Sequence, residues 1–152
     1  MVLEALAVAE VPVWIAGGWG VDALAGRVTR EHRDLDLAVR AEDLDRAVDA
    51  VAGLGFVVET DWLPTRVELG GGPGGWVDLH PVRFDADGNG VLAGLDGETY
   101  EYPAEDFTQG VIGGRLVQCI SPRLQRRLHQ GYAPRTRDLH DLRVLEGLDS
   151  QR

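Results

Sequence analysis

The amino-acid sequence predicts an α+β fold, a mixed β-sheet flanked by helices, and three observations carry that expectation. Helix-period apolar residues recur at both ends of the chain and at 41–55. Short runs of alternating apolar and polar residues fill the middle, and glycine- or proline-bearing turns separate them. No repeat and no composition shift marks a boundary, so residues 1–152 are read as one domain, a length that suits a single core.

Each element follows from local pattern. Residues 2–10 look helical, and two glutamates with no basic flank make "MVLEALAVAEVPVW" an amphipathic helix rather than a signal peptide. "VPVWIAG" (11–17) is a short apolar strand ending at glycine. In "GWGVDALAG" (18–26), Val21, Leu24 and Ala25 have helical spacing and Gly26 is the stop. "LDLAV" (35–39) is a strand. "AEDLDRAVDAVAGLG" (41–55) is an amphipathic helix whose inner face is Leu44, Ala47, Val48 and Val51, with acids in its first turn and glycines at its close.

Three strands come next: 56–60, 65–69 and 76–82. "GGGPGG" (70–75) between the last two is expected to be a flexible hairpin tip. "FDADGNG" (84–90) resembles part of a calcium loop, but the bidentate glutamate is missing and the flanks are not helical, so it reads as a solvated turn. "GETYEYP" and "GVIGGRLVQCI" supply two or three further strands. "SPRLQRRLHQGY" (121–132) begins with a Ser cap and Pro at the first helical position. "RTRDLHDLRVLEGL" (135–148) closes the chain as a helix with Leu139, Leu142 and Leu145 turned inward.

Composition excludes several functions. No run of 18 apolar residues is present, so no membrane span is expected. A lone cysteine, Cys119, makes no internal disulfide and fits a reducing cytoplasm; in "RLVQCI" it reads as a buried strand residue rather than a nucleophile. The net charge of -10 makes long nucleic acid a poor partner. All 15 basic residues are arginine, which removes Schiff-base chemistry and any lysine-dependent phosphate loop.

The chemistry is expected at Asp34 and Asp36. Residues two apart on a strand share a face and lie roughly 6.7 Å apart. Two bare carboxylates in a partly dry site repel by about 4 kcal/mol at 4 Å, so a cation must join them or one takes up a proton. Magnesium suits them, because it accepts one or two carboxylates and fills its shell with water and phosphate oxygens. "WVDLHPV" adds Asp78 and His80 on one face of another strand, so three acids could form a metal clamp, or a metal pair plus general base. The alternative, that each is a solvent-facing strand residue, is disfavoured because aspartate is rare in strands. Gly17 and Gly18 lie between strand and helix, where bare backbone N–H groups can meet a phosphate. Arg30 and His32, just before the carboxylates, either contact a triphosphate or form a charged solvated loop; the guanidinium fork makes Arg30 the better phosphate ligand.

"GGWG…TREHRDLDL" resembles the DNA polymerase β-like nucleotidyltransferases. It is most similar there to the small single-domain lincosamide nucleotidyltransferases, which are related to the aminoglycoside 2″-adenylyltransferases. "WIAGGWGVDALAG", "WLPTRVEL", "VDLHPV", "CIS", "HQGY" and "RDLHDLRVL" extend the likeness from about residue 12 to residue 146. The resemblance implies that Asp34, Asp36 and Asp78 gather Mg2+ and an ATP or other nucleoside triphosphate. It also makes Asp78 the base for an acceptor hydroxyl, sets Gly17 and Gly18 against phosphate, and implies a cytoplasmic, homodimeric enzyme. The glycine-rich loop at 70–75 and the basic "PRLQRRLHQGY" depart from the family's pattern, in regions that could touch the acceptor or a second subunit.

Near Asp78, Trp19, Trp62, Trp76 and Tyr132 are candidate walls of a substrate pocket, with core packing as the alternative for each. Arg66 and Glu68 share a strand face, as a surface ion pair or as cleft lining. His80 either binds the acceptor or holds Asp78, and the resemblance favours a site role for His129. Asp138 and Asp141 read chiefly as capping or solvated residues. The functional expectation is transfer of a nucleoside monophosphate, AMP from ATP, to a hydroxyl of a small antibiotic, a lincosamide first and an aminoglycoside second. A nucleotidyltransferase-fold module that modifies a protein partner, antitoxin-like, is the alternative from another class.

Overall fold

A computed structural model describes residues 1–130 and 133–149. The elements in chain order are α1 (Val2–Val8), β1 (Val13–Ala16), α2 (Gly17–Ala25), β2 (Asp34–Arg40), α3 (Leu44–Ala52), β3 (Val57–Trp62), β4 (Arg66–Gly72) and β5 (Gly75–Phe84). Then follow β6 (Gly90–Ala93), β7 (Thr99–Tyr102), β8 (Phe107–Ile112), β9 (Arg115–Ile120), α4 (Pro122–Leu128) and α5 (Thr136–Asp149). The main sheet runs β3-β4-β5-β2-β1-β9-β8, and a β6–β7 hairpin extends from the end of β5. β2 is antiparallel to β1 but parallel to β5, so the sheet is mixed.

Strand alternation sorts the side chains. Leu37, Val39, Val67, Leu69, Val77 and Leu79 share one buried cluster with Leu6, Ala47 and Val51, under α1 and α3. Ala38 and Val82 point the other way, into a second cluster with Ile120 and Leu124. The acids of β2 and β5 occupy this second face. Cys119 is fully buried in β9, where burial pushes its thiol up to about 11, as expected of an inert core residue.

Helix ends follow their capping residues. Gly26 closes α2 in the left-handed region, with φ 75°. The Ser121 hydroxyl accepts from Leu124 N at 3.1 Å, with Pro122 at the first helical position of α4. α4 stops at Leu128, four residues short of the predicted end.

Two expectations need correction. The glycine segment 70–75 is not a loose tip: β4 continues to Gly72, and Pro73 and Gly74 alone make the turn. A Cβ at Gly70 would strike the Trp76 indole and one at Gly72 the Phe56 ring, so these glycines make room for aromatic rings. In α5 Leu145 is fully buried but Leu139 is 46% exposed, and the buried positions beside Leu145 are Asp138 and Asp141. The helix turns charge inward because it packs over arginine and histidine rather than over an apolar layer.

Candidate active site

Register places the acids. Asp36 of β2 pairs with Asp78 of β5, Asp34 with Trp76, and Glu68 of β4 with Asp78. Ala16 pairs with Asp36, so the turn into α2 begins beside that carboxylate. Gly17 takes φ +60°, and a Cβ there would overlap the Asp36 carboxylate. A Cβ at Gly18 would overlap the Arg30 guanidinium and come within 2.5 Å of His32 Nδ1. The glycine pair is thus explained by close approach: an acid on one side of the turn, two basic groups on the other.

Oxygens and nitrogens converge. Asp36, Asp78 and His80 each offer a ligand atom, all within 4.8 Å of one another. His80 Nε2 lies 3.4 Å from Asp36 Oδ1 and 3.8 Å from Asp78 Oδ2. Arg66 Nη1 donates to Asp78 Oδ2 at 2.6 Å. Arg33 Nη1 is 3.2 Å from Asp34 Oδ1. Two buried oxygens, Asp34 Oδ1 and Asp78 Oδ1, make no hydrogen bond. A buried carboxylate oxygen without a donor is costly; at Asp34 Oδ1 the cost is offset by the Arg33 charge, whereas Asp78 Oδ1 has no donor and favours a cation or a proton beside it.

Burial pushes the Asp78 carboxyl up to about 6; His80 and Arg66 pull it down, while the Asp36 charge raises it. Asp34 is raised for the same first reason, offset in part by Arg33. Burial alone would lower His80, but the hydrogen bond to Asp36 and the charges of Asp78 and Asp36 outweigh it and raise its pKa.

Ion pairs and hydrogen bonds brace the turn from behind. Arg30 makes a two-pronged contact with Asp141, Nε to Oδ1 at 3.0 Å and Nη2 to Oδ2 at 2.9 Å. Buried Asp22 takes His32 Nε2 at 2.5 Å, Thr29 N at 3.0 Å and the Thr29 hydroxyl. His140 Nε2 of α5 reaches that same hydroxyl at 2.9 Å. Gln125 of α4 donates to Gly17 O at 3.2 Å.

Most of these groups, though not Asp22, Thr29 or His140, line one cleft of about 320 Å³. It includes Gly17, Gly18, Arg30, His32, Asp34, Asp36, Arg66, Asp78, His80 and His129. The other predicted residues are distributed around it. Trp62 is 48% exposed, with the Arg66 guanidinium stacked 4.6 Å over its ring. Trp76 stacks under Arg33 at 4.7 Å, Trp19 packs behind His32 at 4.6 Å, and Glu68 lies beside Thr60 rather than in the cleft wall. His129 Nδ1 is 2.7 Å from Gln125 O, and its Nε2 is 3.6 Å from Asp138 Oδ1. Tyr132 lies outside the described residues. Gln125, Arg33, Arg135, Arg137, Asp138 and Asp141 also line the cleft and had no predicted site role. The i, i+3, i+7 spacing of Asp138, Asp141 and Leu145 was the available signal for the last two.

The geometry gathers carboxylates, a histidine and arginines around one cleft, and comparison with known proteins fixes the family. The profile of the aminoglycoside-2″-adenylyltransferase family matches residues 1–145. The chain belongs to this family. It is a nucleotidyltransferase, as the likenesses to individual members bear out. A lincosamide resistance protein from Staphylococcus haemolyticus is 32% identical over 91% of this chain and 86% of its own length. A 2″-aminoglycoside nucleotidyltransferase from Escherichia coli is 32% identical over 74% of this chain and 59% of its own length. Among solved structures, the lincosamide antibiotic adenylyltransferase LnuA with lincomycin bound has a TM-score of 0.86 at 31% identity, covering 97% of this chain and 93% of that one. ANT(2″)-Ia in complex with adenylyl-2″-tobramycin has a TM-score of 0.74 at 25% identity, covering 98% and 89%. As a nucleotidyltransferase the chain has the predicted mixed sheet with flanking helices. Among the described residues no helix is long and apolar enough to cross a membrane.

Membership implies a divalent cation and a nucleoside triphosphate. The residues fit a hard cation: Asp78 Oδ1 is a buried carboxylate oxygen without a donor, and Asp36, on β2 with Asp34, pairs in register with Asp78.

Proposed function

We propose that this chain transfers AMP from ATP to a hydroxyl of a lincosamide antibiotic and so inactivates the drug. The observation that carries the reading is the state of Asp78: one oxygen is held by Arg66, and the other is buried and free, one strand away from Asp36.

Asp34 and Asp36, with Asp78 at their side, would hold magnesium, which supplies charge neutralisation and a template for in-line displacement. Gly17 and Gly18 let the backbone at the start of α2 approach the phosphates. Arg66 fixes the Asp78 carboxylate by Oδ2, leaving Oδ1 to take the proton of the acceptor hydroxyl. As that proton leaves, the acceptor oxygen bonds to the α-phosphorus, the bond to the bridging oxygen breaks, and pyrophosphate departs. A carboxylate raised to about 6 is ionised at neutral pH and still basic enough for the task. The chain's own contribution is positioning and electrostatics, with no covalent enzyme intermediate.

Charge in the cleft supports a lincosamide over a polycation. Every acid there already faces a basic side chain: Asp34 Arg33, Asp36 His80, Asp78 Arg66, Asp138 Arg135 and Asp141 Arg30. The fuller coverage of the lincosamide resistance protein points the same way. An aminoglycoside acceptor is the second reading, favoured by the family description and by the tobramycin complex of a relative. Incubation with ATP and magnesium beside lincomycin and tobramycin, read by mass spectrometry, separates them. The expected product is adenylyl-lincomycin with pyrophosphate; adenylyl-tobramycin alone would establish the second reading, and no product from either would overturn both. A cytoplasmic homodimer belongs to the same proposal, and sedimentation of the purified chain tests the dimer.

A further inference from the structure

Five arginines line the cleft, and four of them are committed. Arg30 is held by Asp141, Arg33 by Asp34, Arg66 by Asp78 and Arg135 by Asp138. Arg137 is the exception. It stands in the first turn of α5, half-buried in the cleft wall, and among the described residues it has neither ion pair nor hydrogen bond. A guanidinium partly withdrawn from water and left without an acceptor is costly unless a ligand supplies one. Its charge is felt at Asp34, on the β2 side, while the Asp78 carboxylate is held by Arg66.

We infer that Arg137 binds the β- and γ-phosphates of the nucleoside triphosphate and holds them as the pyrophosphate leaving group. The inference rests on the nucleotidyl-transfer reading above and deepens it. A triphosphate carries more negative charge than one divalent ion neutralises. The other cleft arginines are already neutralised by carboxylates, so Arg137 is the cation with charge to spare. Its planar fork matches two phosphate oxygens at once. It lines the cleft with its guanidinium uncommitted and its charge reaching Asp34, while Arg66 is already engaged with Asp78, the base for the acceptor; this assigns Arg137 to the donor and not to the drug.

The test compares nucleotides that do and do not carry the terminal phosphates. Binding of α,β-methylene-ATP with magnesium, and of AMP, is measured by calorimetry on the wild type, R137Q, R137A and R137K. Loss of a charge-assisted phosphate contact is expected to weaken the triphosphate analogue roughly 10- to 100-fold in R137Q and R137A. AMP affinity, lincomycin KM and melting temperature are expected to stay at wild-type values, with R137K intermediate because lysine offers a charge without the fork. Unchanged affinity for the analogue in R137Q and R137A overturns the inference. An equal loss for AMP overturns it too, because the contact would then be to the nucleoside or the α-phosphate. A rise confined to the lincomycin KM would move Arg137 to the acceptor. If the wild type binds the analogue and adenylylates neither drug, the acceptor reading fails while the Arg137 result still stands on the binding data.

Discussion

Asp78 has two oxygens with different duties, and that division makes its chemistry testable. Asp78→Asn keeps the size and the contact with Arg66 but cannot accept a proton. Its kcat is expected to fall by about 10²- to 10⁴-fold. Binding of a triphosphate analogue should change far less, because Asp34 and Asp36 remain; equal losses in both would mean that Asp78 serves only as a ligand. Arg66→Gln releases Oδ2. The guanidinium lowers the Asp78 pKa, so its removal raises it. A base works when deprotonated, so the acidic limb of the kcat/KM profile should move to higher pH, with the nucleotide KM unchanged; a limb that stays in place would separate Arg66 from the base. Gly17→Ala has no tolerant rotamer to find, since φ is +60° and the Asp36 carboxylate occupies the Cβ position. The left-handed backbone alone costs about 1–2 kcal/mol. The three acids were legible in the sequence because a strand has period two and aspartate is out of place there. The second partner of each group was not legible. Nothing in "TREHRD" says that Arg30 meets a residue more than a hundred positions on, or that His32 turns to Asp22 and packs at a tilt against Trp19.

At the scale of elements, most of the chain order of helices and strands follows from periodicity, and the helix whose buried face was misread, α5, is one that bears on the site. Apolar periodicity assigned the inner face of α3 because that face meets aliphatic side chains. The same rule applied to α5 chose Leu139, which is exposed, over Asp138 and Asp141, which are buried. A hydrophobic rule cannot find a face that packs against Arg30 and His129. β6 and its hairpin with β7 escaped notice for another reason: "GVLA" is too short to show alternation. The buried Asp141–Arg30 contact has a consequence for α5. Asp141→Asn removes one charge of a nearly buried pair and leaves Arg30 only partly held against Gly18. Breaking such a pair costs about 3–5 kcal/mol where both groups are fully desolvated, and less here because Arg30 keeps partial access to solvent. The triphosphate KM is expected to rise several-fold in Asp141→Asn but not in the Arg30→Gln background, where there is no guanidinium left to position. A double-mutant cycle measures this. Additive effects would make the pair a fastening for α5 and nothing more.

For the molecule as a whole, the buried acids of the cleft should set how stability varies with pH. Asp22, Asp106 and Asp138 have carboxyls held below their ordinary range: burial opposes this, but hydrogen bonds from Thr29 and His32, from Arg123 and Ser121, and from Arg135 outweigh it. Their stabilisation is complete above the unfolded value of 3.8 and is lost only as pH falls below that. Asp78 runs the other way. Its folded pKa of about 6 lies above the unfolded 3.8, so its ionised form burdens the native state above pH 6, and the burden lifts as pH falls toward 4. Asp34, also raised, adds in the same sense, and so does His80, whose raised pKa favours folding at low pH and ceases to as pH passes through it. The metal-free protein is therefore expected to melt highest near pH 5 and lower at pH 8. For Asp78 alone the difference between pH 5 and pH 8 is about 1.4 kcal/mol, because about half of its burden of about 3 kcal/mol is already present at pH 5, and it corresponds to about 5 °C for a chain of this size. Magnesium binds the ionised carboxylates of the native state, so it should raise the melting temperature most at pH 8 and little at pH 5, flattening the profile. The net charge of -10 also destabilises the fold as pH rises, but that effect is spread over the surface and is screened at 0.15 M salt. Asp78→Asn distinguishes the two: if the buried acid is responsible, the variant loses most of the pH slope and gains stability at pH 8. A slope that persists in full in the variant would place the pH dependence in the surface charge and leave the cleft acids without the strain that metal binding is expected to relieve.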